Sequence, residues 1–215
     1  ATRERDKFHI KKYLAKDKEL KDVTDELCVF GVFGPKSRAL MKSISKDNFE
    51  NDNFRFSTAK YITIEGIKIW TQRLSYVGEL GYELYVKSEN AKKIYELLVN
   101  KGKDFNLSNC GMHAMDIMRM ESGFLHWGHD ISPEENQYQA GLSFTISNIK
   151  DVDFMGKQAL EKIKPAKVKT RFSMFTLKES EPGKPLLLHD EPIYDGEKII
   201  GRSTSGLSLI HISEP

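Results

Sequence analysis

The stretch SYVGELGYELYV, residues 75–86, combines two glycines, two glutamates and three tyrosines with regularly spaced apolar positions. Side chains of a β-strand point to alternate faces, so the pattern predicts a strand with Tyr82, Leu84 and Val86 on one face. Glu83 is then predicted to lie on the opposite face. A plain core strand needs neither this polarity nor these glycines, which raises the question of what the carboxylate faces.

Two interpretations of Glu83 follow from the residues alone. In the first, the stretch is a half-exposed hairpin whose glutamates lie in water. In the second, Glu83 binds a ligand, because a carboxylate can accept two parallel hydrogen bonds from a planar edge that carries adjacent N–H donors. Tyr76 would then supply an aromatic wall or a hydroxyl group nearby. Strand alternation does not choose between these interpretations.

The composition bounds the class of protein. Of 215 residues, 39% are hydrophobic and 30% are charged, which is typical of a globular protein with one or two domains. The 33 basic and 31 acidic residues leave a formal net charge of +2, so neither a nucleic-acid partner nor a membrane surface is predicted. No apolar run is long enough for a membrane span, and we expect a bacterial cytoplasmic or mitochondrial matrix location. Cys28 and Cys110 are predicted to be buried thiols.

Both ends of the chain have unusual features. The first residues have the pattern of a helix, since Phe8, Ile10, Tyr13 and Leu14 recur at helical spacing. No initiating methionine and no capping residue precede them. We therefore expect the chain to be a fragment that begins inside a longer protein. Residues 207–215, LSLIHISEP, fit no upstream pattern and are predicted to be a non-native tail.

Strand and helix patterns predict an α+β domain over residues 1–164. Residues 26–35 form a buried-strand pattern, and Glu65-Gly66 is predicted to turn between two antiparallel strands. Ser88 is the expected N-cap of the second of three predicted helices. These helices cover residues 36–44, 88–102 and 111–124, and in the last of them Met112, Met115, Met118 and Met120 are expected to fill the core.

The pattern changes after Pro165. Residues 171–177 and 191–201 have the pattern of short strands, with Asp195-Gly196 as a hairpin turn. This change predicts a second, all-β domain that starts near residue 165.

Several ordered motifs resemble those of one family. In chain order they are RLSYVGELGYELYV, MRMESGFLHWGHDI, QAGLSFTI, DFMGKQAL and EPIYDGEKIIGRSTSG. Their order and spacing resemble the folate-binding aminomethyltransferase (glycine-cleavage T-protein) family. Within it, RLSYVGELGYEL and HWGHDI look most like the C-terminal part of dimethylglycine and sarcosine dehydrogenases.

The resemblance implies that residues 165–206 are the start of a C-terminal β-barrel domain. It also implies a tetrahydrofolate site. The second glutamate of the family's G-E-x-G-aromatic-E motif binds the pterin edge, and this position is Glu83 here. Tyr76, seven residues earlier, matches a tyrosine that lines the folate cavity in the dehydrogenases. Glu79 is implied to be structural. Met115 stands where the T-protein has an arginine used for folate, so that anchor is absent.

Two further positions of the family's helix motif, Arg119 and Glu121, are retained, and a structural role on the helix is implied for them. The sequence departs from the family's T-P-x-E-A-G-L motif at two positions, with Gln137 in place of the proline and Gln139 in place of the glutamate.

The resemblance also implies the chemistry of the full-length protein. A flavin (FAD) in a separate N-terminal domain oxidises an N-methyl amine, and tetrahydrofolate captures the one-carbon unit as methylenetetrahydrofolate. The catalytic aspartate of the family lies upstream of residue 1, and Asp6 is not a substitute for it. FGVFGP lacks a full dinucleotide fingerprint, so we expect the flavin domain of the same full-length chain to be the partner and the fragment alone to be inactive.

Other functions remain open at this point. His126 and His129 are spaced three apart, but no third ligand is evident, so no metal site is predicted. A stand-alone glycine-cleavage aminomethyltransferase and a non-enzymatic relative, of the type of the pyruvate dehydrogenase phosphatase regulatory subunit, are the alternatives to a dehydrogenase part.

Overall fold

The structure, a computed structural model, describes residues 2–146, 153–163, 168–178 and 187–206. It divides into two compact units. The first comprises Ala1–Ser75 with Glu79–Asn109, and the second comprises Tyr76–Gly78 with Cys110–Pro215. Each unit is described by itself below. Within the described ranges, no helix is both long enough and apolar enough to cross a membrane.

The first unit combines three helices with one sheet. The helices are α1 (Arg3–Tyr13), α2 (Ser37–Ile44) and α3 (Ser88–Gly102), and the strands are β1 (Leu27–Phe33), β2 (Ala59–Ile64), β3 (Ile67–Gln72) and β4 (Gly81–Lys87). The strand order is β1-β4-β3-β2, and every neighbouring pair is antiparallel. Because β4 pairs with β1 on one side and β3 on the other, it is a central strand.

The turn between β2 and β3 confirms the predicted hairpin. Glu65 and Gly66 both have positive φ, at 47° and 79°. Two successive positive φ angles are typical of a type I′ turn, whose twist matches that of the flanking strands.

One face of the sheet packs against α2 and α3 to form the core. Tyr82, Leu84 and Val86 of β4, which were predicted to share one face, are all almost completely buried. Apolar burial of this kind contributes roughly 1.5–3 kcal/mol for each large side chain. The cluster is completed by Val32, Leu40, Met41, Phe49, Phe54, Ile62, Ile64, Ile69, Ile94 and Leu98.

The second unit contains α4 (Met112–Glu121), α5 (Lys157–Lys162) and a hairpin of β5 (Pro192–Asp195) and β6 (Lys198–Arg202). The hairpin confirms the predicted turn at Asp195-Gly196. Residues 171–177 are not a strand, so that prediction is wrong; the Phe172 amide instead donates to the Gln139 carbonyl in a single bond. A short apolar alternation forms a strand only where a partner strand pairs with it.

A C-terminal barrel is not shown among the described residues, which contain only this hairpin in the region assigned to it. Residues 164–167 lie outside the described residues, so the boundary between residues 164 and 165 stays a prediction. The predicted tail, residues 207–215, also lies outside them.

Ser88 is not the N-cap of α3, contrary to the prediction. It is the first residue of the helix, Lys87 occupies the N-cap position, and no side chain caps this end. The Ser88 hydroxyl donates instead to the Asp25 carbonyl, at 3.1 Å. Because β4 continues directly into α3, no loop residue stands between them to serve as a cap.

Two predictions of buried sulfur side chains are also wrong. Cys110 is exposed and Cys28, on the edge strand β1, is only half-buried. In α4 the buried residues are Ile117 and Arg119, whereas Met112 is 65% exposed. The spacing of the methionines predicted that they would form the buried face of α4, but Arg119 occupies one of the two buried positions of this helix.

Tyr82 provides a test of the core. Its ring contacts Phe49 and Phe54 at centroid distances of 5.5 and 5.6 Å, while its buried hydroxyl has no hydrogen-bond partner among the described residues. Tyr82→Phe removes an unsatisfied polar atom and keeps the ring, so we expect the free energy of unfolding to rise by about 1 kcal/mol. Urea denaturation measures it.

The control is Tyr61→Phe, which removes an exposed hydroxyl and should change the free energy of unfolding by less than about 0.5 kcal/mol. Destabilisation by Tyr82→Phe would mean that the buried hydroxyl does have a partner, which would contradict the packing described here.

Candidate functional site

Glu83 lies at the centre of the sheet face that points away from the core. In the registers of β4 it is opposite Gly31 on β1 and Gln72 on β3. It is half-buried, whereas its neighbours Tyr82 and Leu84 are buried. We call this the outer face: the side of the sheet that carries Glu83, Tyr85 and Trp70.

Tyr85 is the hydrogen-bond partner of Glu83. Its hydroxyl donates to Glu83 Oε2 at 2.9 Å, and this is the only hydrogen bond to that carboxylate within the described ranges. Partial burial, followed by this hydrogen bond, raises the pKa of Tyr85. Since each carboxylate oxygen can accept more than one hydrogen bond, Glu83 retains the capacity to accept a pair from a ligand.

The Phe33 ring lies over two glycines that adjoin Glu83: Gly31 is opposite it on β1, and Gly81 is two residues before it on β4. A Cβ atom at Gly31 would lie 2.6 Å from the Phe33 ring, and one at Gly81 would lie 2.3 Å from it. The ring therefore rests against bare backbone at both positions. Neither glycine is replaceable without moving Phe33.

The outer face continues as an aromatic surface toward β2. Trp70 is opposite Tyr85 in the register. Tyr61 packs edge-on against Trp70 at 4.9 Å between ring centroids, and Lys68 Nζ lies 4.5 Å from the centre of the Tyr61 ring. Tyr61 and Trp70 are exposed. A carboxylate flanked by aromatic rings suits a planar, hydrogen-bonding ligand.

Tyr76 belongs to the second unit, so the two residues predicted to bind folate lie in different units. The Tyr76 hydroxyl donates to the Leu125 carbonyl at 2.9 Å. Its ring stacks on Phe124, with the two planes 14° apart and the centroids 6.2 Å apart. Burial is the main cause that raises the pKa of Tyr76. Tyr76 is thus held at both its ring and its hydroxyl.

A buried ion pair lies next to the segment that holds Tyr76. Arg119 on α4 and Asp130 are 4% and 5% exposed and bond through Arg119 Nη1 and Asp130 Oδ2. Asp130 Oδ1 accepts the hydroxyls of Thr204 and Ser205, both at 2.6 Å. Arg119 Nη2 donates to Ser205 Oγ at 2.7 Å. We call Arg119, Asp130, Thr204 and Ser205 the clasp.

The environment of Asp130 favours its charged form. Burial acts to raise the pKa of this carboxyl group. The hydrogen bonds from Ser205, Thr204 and the His126 amide, together with the charge of Arg119, outweigh burial and lower the pKa below its usual value. The clasp is therefore an ionised, fully bonded cluster.

The two histidines of the HWGHD motif lie side by side. The rings of His126 and His129 have centroids 4.5 Å apart, and His126 Nδ1 is 3.5 Å from Asp116 Oδ1. Within the described ranges no group of three or more His, Cys, Asp or Glu side chains is placed to hold a metal ion.

The positions at which the sequence departs from the family motifs are also placed. Met115 is a half-buried residue of α4. Gln139 Oε1 accepts from both nitrogens of Asn136, at 3.1 Å from the backbone amide and 2.6 Å from the side chain. Its Nε2 donates to Thr170. The Gln139 side chain therefore links Asn136, in its own loop, to Thr170. Glu79 is exposed in the bend before β4.

Comparison with known proteins identifies the family. Residues 1–150 match the GCVT N-terminal domain. The chain belongs to this family. The GCVT chain is 40% identical over 185 residues to 4-methylaminobutanoate oxidase (formaldehyde-forming) of Paenarthrobacter nicotinovorans, covering 86% of this chain. It is 35% identical over 190 residues to human mitochondrial dimethylglycine dehydrogenase, covering 88% of this chain.

Shorter relatives match as well. An aminomethyltransferase of Bacillus cytotoxicus is 29% identical over 203 residues, covering 94% of the GCVT chain and 54% of the relative. By contrast, the chain spans 22% of the length of the oxidase and of the human dehydrogenase. The resemblance noted in the sequence motifs is thereby confirmed, both for the aminomethyltransferases and for the dehydrogenases.

A solved structure supports the fold. The glycine cleavage system aminomethyltransferase T from Bartonella henselae superposes with a TM-score of 0.54 at 21% identity, covering 66% of the GCVT chain and 37% of that structure. The mixture of helices and antiparallel sheet is therefore a T-protein-like fold.

Asp130→Asn tests the clasp. Because folding lowers the pKa of Asp130, its ionised carboxylate stabilises the folded state at pH values above the ordinary aspartate pKa of about 3.9. This stabilisation is lost as the pH falls through the lowered pKa of the folded state. In Asp130→Asn we expect this part of the acid dependence to disappear. At neutral pH the variant should lose about 3 kcal/mol, the lower end of the range for breaking a buried ion pair. The buried charge of Arg119 then keeps only its longer contact, from Nε to Asp116 Oδ1 at 3.4 Å.

Urea denaturation between pH 2 and pH 7, approximately the range in which carboxyl groups titrate, measures both effects. Asp195→Asn in the β5–β6 turn is the control, since Asn-Gly forms the same turn. An unchanged acid dependence in Asp130→Asn would contradict the ionised clasp.

Proposed function

We propose that the chain is the tetrahydrofolate-binding part of a dimethylglycine- or sarcosine-type dehydrogenase. In this proposal the full-length protein captures the one-carbon unit of an oxidised N-methyl amine as methylenetetrahydrofolate. It acts in a mitochondrial matrix or a bacterial cytoplasm. The similarity to dimethylglycine dehydrogenase and to an oxidase of a methylamino acid supports the class of substrate.

The observation that carries the proposal is the position of Glu83 on the outer face. A pterin presents a 2-amino group and a ring N–H side by side, and one carboxylate can accept both. Glu83 is half-buried, which strengthens a charge-assisted hydrogen bond compared with full exposure. Tyr85 bonds to Glu83, and the Phe33 ring covers Gly31, the residue opposite Glu83 in the register. The residues of this face therefore fit a pterin.

The proposal divides the chemistry between this chain and the rest of the protein. Tetrahydrofolate supplies the reduced nitrogens that take up the one-carbon unit. Glu83 orients the pterin and Tyr76 lines the folate cavity. The catalytic aspartate and the FAD domain are assigned to other parts of the full-length chain, so the isolated segment would bind folate without turnover.

A stand-alone aminomethyltransferase is the second candidate. Its support is the match to the Bacillus cytotoxicus aminomethyltransferase, which covers 94% of the chain and a much larger share of the relative than the dehydrogenase matches do. Purified full-length protein separates the candidates. A bound flavin that absorbs visible light and is reduced by dimethylglycine or sarcosine supports the dehydrogenase. Folate-dependent release of ammonia from an aminomethylated lipoyl carrier supports the aminomethyltransferase.

Glu83→Gln tests the pterin contact. The substitution replaces one acceptor oxygen of the carboxylate by an NH2 donor, which cannot accept a hydrogen bond from the pterin N–H groups. We expect the affinity for 5-formyltetrahydrofolate to fall by about 1.5–3 kcal/mol, the range for hydrogen bonds to charged groups. Isothermal titration calorimetry of the full-length chain measures it.

The matched control is Glu79→Gln, the other glutamate of the same motif, which lies exposed in the bend. It should leave the affinity unchanged within about 0.5 kcal/mol. Equal affinities of the wild type and Glu83→Gln would remove Glu83 from the pterin site.

A further inference from the structure

The clasp and Tyr76 contact the same short segment of backbone. One peptide group joins Leu125 to His126. Its N–H, on His126, donates to Asp130 Oδ2 at 2.8 Å. Its C=O, on Leu125, accepts the Tyr76 hydroxyl at 2.9 Å. The carboxylate of the clasp and the phenol of Tyr76 therefore bond to opposite ends of one peptide group.

A peptide group is planar and almost always trans, so the directions of its N–H and C=O are coupled. When Asp130 fixes the N–H, it also fixes where the Leu125 oxygen points. Successive hydrogen bonds through one amide also polarise each other. The Tyr76 hydroxyl and the ionised carboxylate of Asp130 are therefore hydrogen-bonded to the same rigid peptide group.

The preceding peptide group is held by the same ion pair. Arg119 Nη1 donates to the Phe124 carbonyl at 3.2 Å. Phe124 is the residue whose ring stacks on Tyr76. The clasp therefore restrains the backbone on both sides of Leu125, and with it both contacts of Tyr76.

Ser205 closes the cluster. Its hydroxyl has one proton, which it donates to Asp130 Oδ1, and its oxygen accepts from Arg119 Nη2. Thr204 adds a second donor to the same carboxylate oxygen. Through these residues, the segment after β6 completes the bonding of an ion pair that begins on α4.

We propose that the clasp is a positioning unit for Tyr76: Arg119 and Asp130, completed by Thr204 and Ser205, set the Leu125 carbonyl and thereby the orientation of the Tyr76 phenol toward the ligand. None of the four residues is required to touch the ligand. The inference rests on the proposed function to the extent that Tyr76 faces folate. It goes beyond that function by assigning the segment after β6 to control of the site.

A double-mutant cycle on the full-length chain tests this, with the dissociation constant of 5-formyltetrahydrofolate as readout. Asp130→Asn and Ser205→Ala are each made with Tyr76 present and with Tyr76→Phe. We expect each substitution to weaken binding by about threefold to tenfold with Tyr76 present. With Tyr76→Phe, which lacks the hydroxyl, the same substitutions should change the dissociation constant by less than about twofold.

Ser203→Ala is the matched control. Ser203 Oγ lies at the same end of the hairpin but donates to the Leu188 carbonyl, outside the clasp. It should change the dissociation constant by less than about twofold in both backgrounds. Equal losses from Asp130→Asn or Ser205→Ala with and without the Tyr76 hydroxyl would overturn the proposal, because a purely structural role does not depend on that hydroxyl.

A second readout separates this inference from the proposed function. The charge of Asp130 contributes to the raised pKa of Tyr76, so Asp130→Asn should lower that pKa in the absence of any ligand. Tyrosinate absorbance, with Tyr76→Phe to identify the signal, measures it. If the wild type binds no folate, the proposed function fails. The positioning unit then stands if Ser205→Ala, which keeps both charges of the clasp, also shifts the Tyr76 titration, and it fails if only Asp130→Asn does so.

Discussion

The two-residue period of β4 is the constraint on which the first unit depends. Because β4 is hydrogen-bonded to a neighbouring strand on each side, its side chains point alternately to the two faces of the sheet. Tyr82, Leu84 and Val86 take one face and are buried. The same geometry obliges Glu83 and Tyr85 to lie together on the other. A shift of one residue in register would bury a carboxylate and expose the core, so the fold and the candidate ligand contact are specified by one pattern.

The second unit depends on a different interaction, a buried and fully bonded ion pair. Burying a charge is unfavourable unless it is paired and its remaining hydrogen-bonding atoms are satisfied. Arg119 and Asp130 meet this condition with two hydroxyl groups, two backbone groups and the carboxylate of Asp116. The partners come from α4, from the segment that follows it and from the end of the hairpin. A cluster of this kind links distant parts of the chain more specifically than apolar contacts, which are not directional.

Much of the first unit could be predicted because its patterns are local. The alternation in β4, the Glu65-Gly66 turn and the helices α2 and α3 all follow from residues within one element. Two of the failures share a physical cause, which is that a tertiary partner outweighed a local preference. Ser88 bonds to Asp25 instead of capping α3, and α4 buries Arg119 where methionines were expected to lie. Residues 171–177 have strand-like alternation but no described partner strand.

The sequence by itself determined which face Glu83 occupies, since a period of two depends only on the strand, and its motifs were sufficient to indicate the GCVT family. Only the tertiary structure decided what surrounds that carboxylate. The Phe33 ring covers Gly31, the residue opposite Glu83, and Gly81, because neither glycine has a side chain to exclude it. It also decided that Arg119 meets Asp130 and Ser205, residues 11 and 86 positions away. Contacts across such separations depend on how the chain folds back on itself, and no local pattern encodes them.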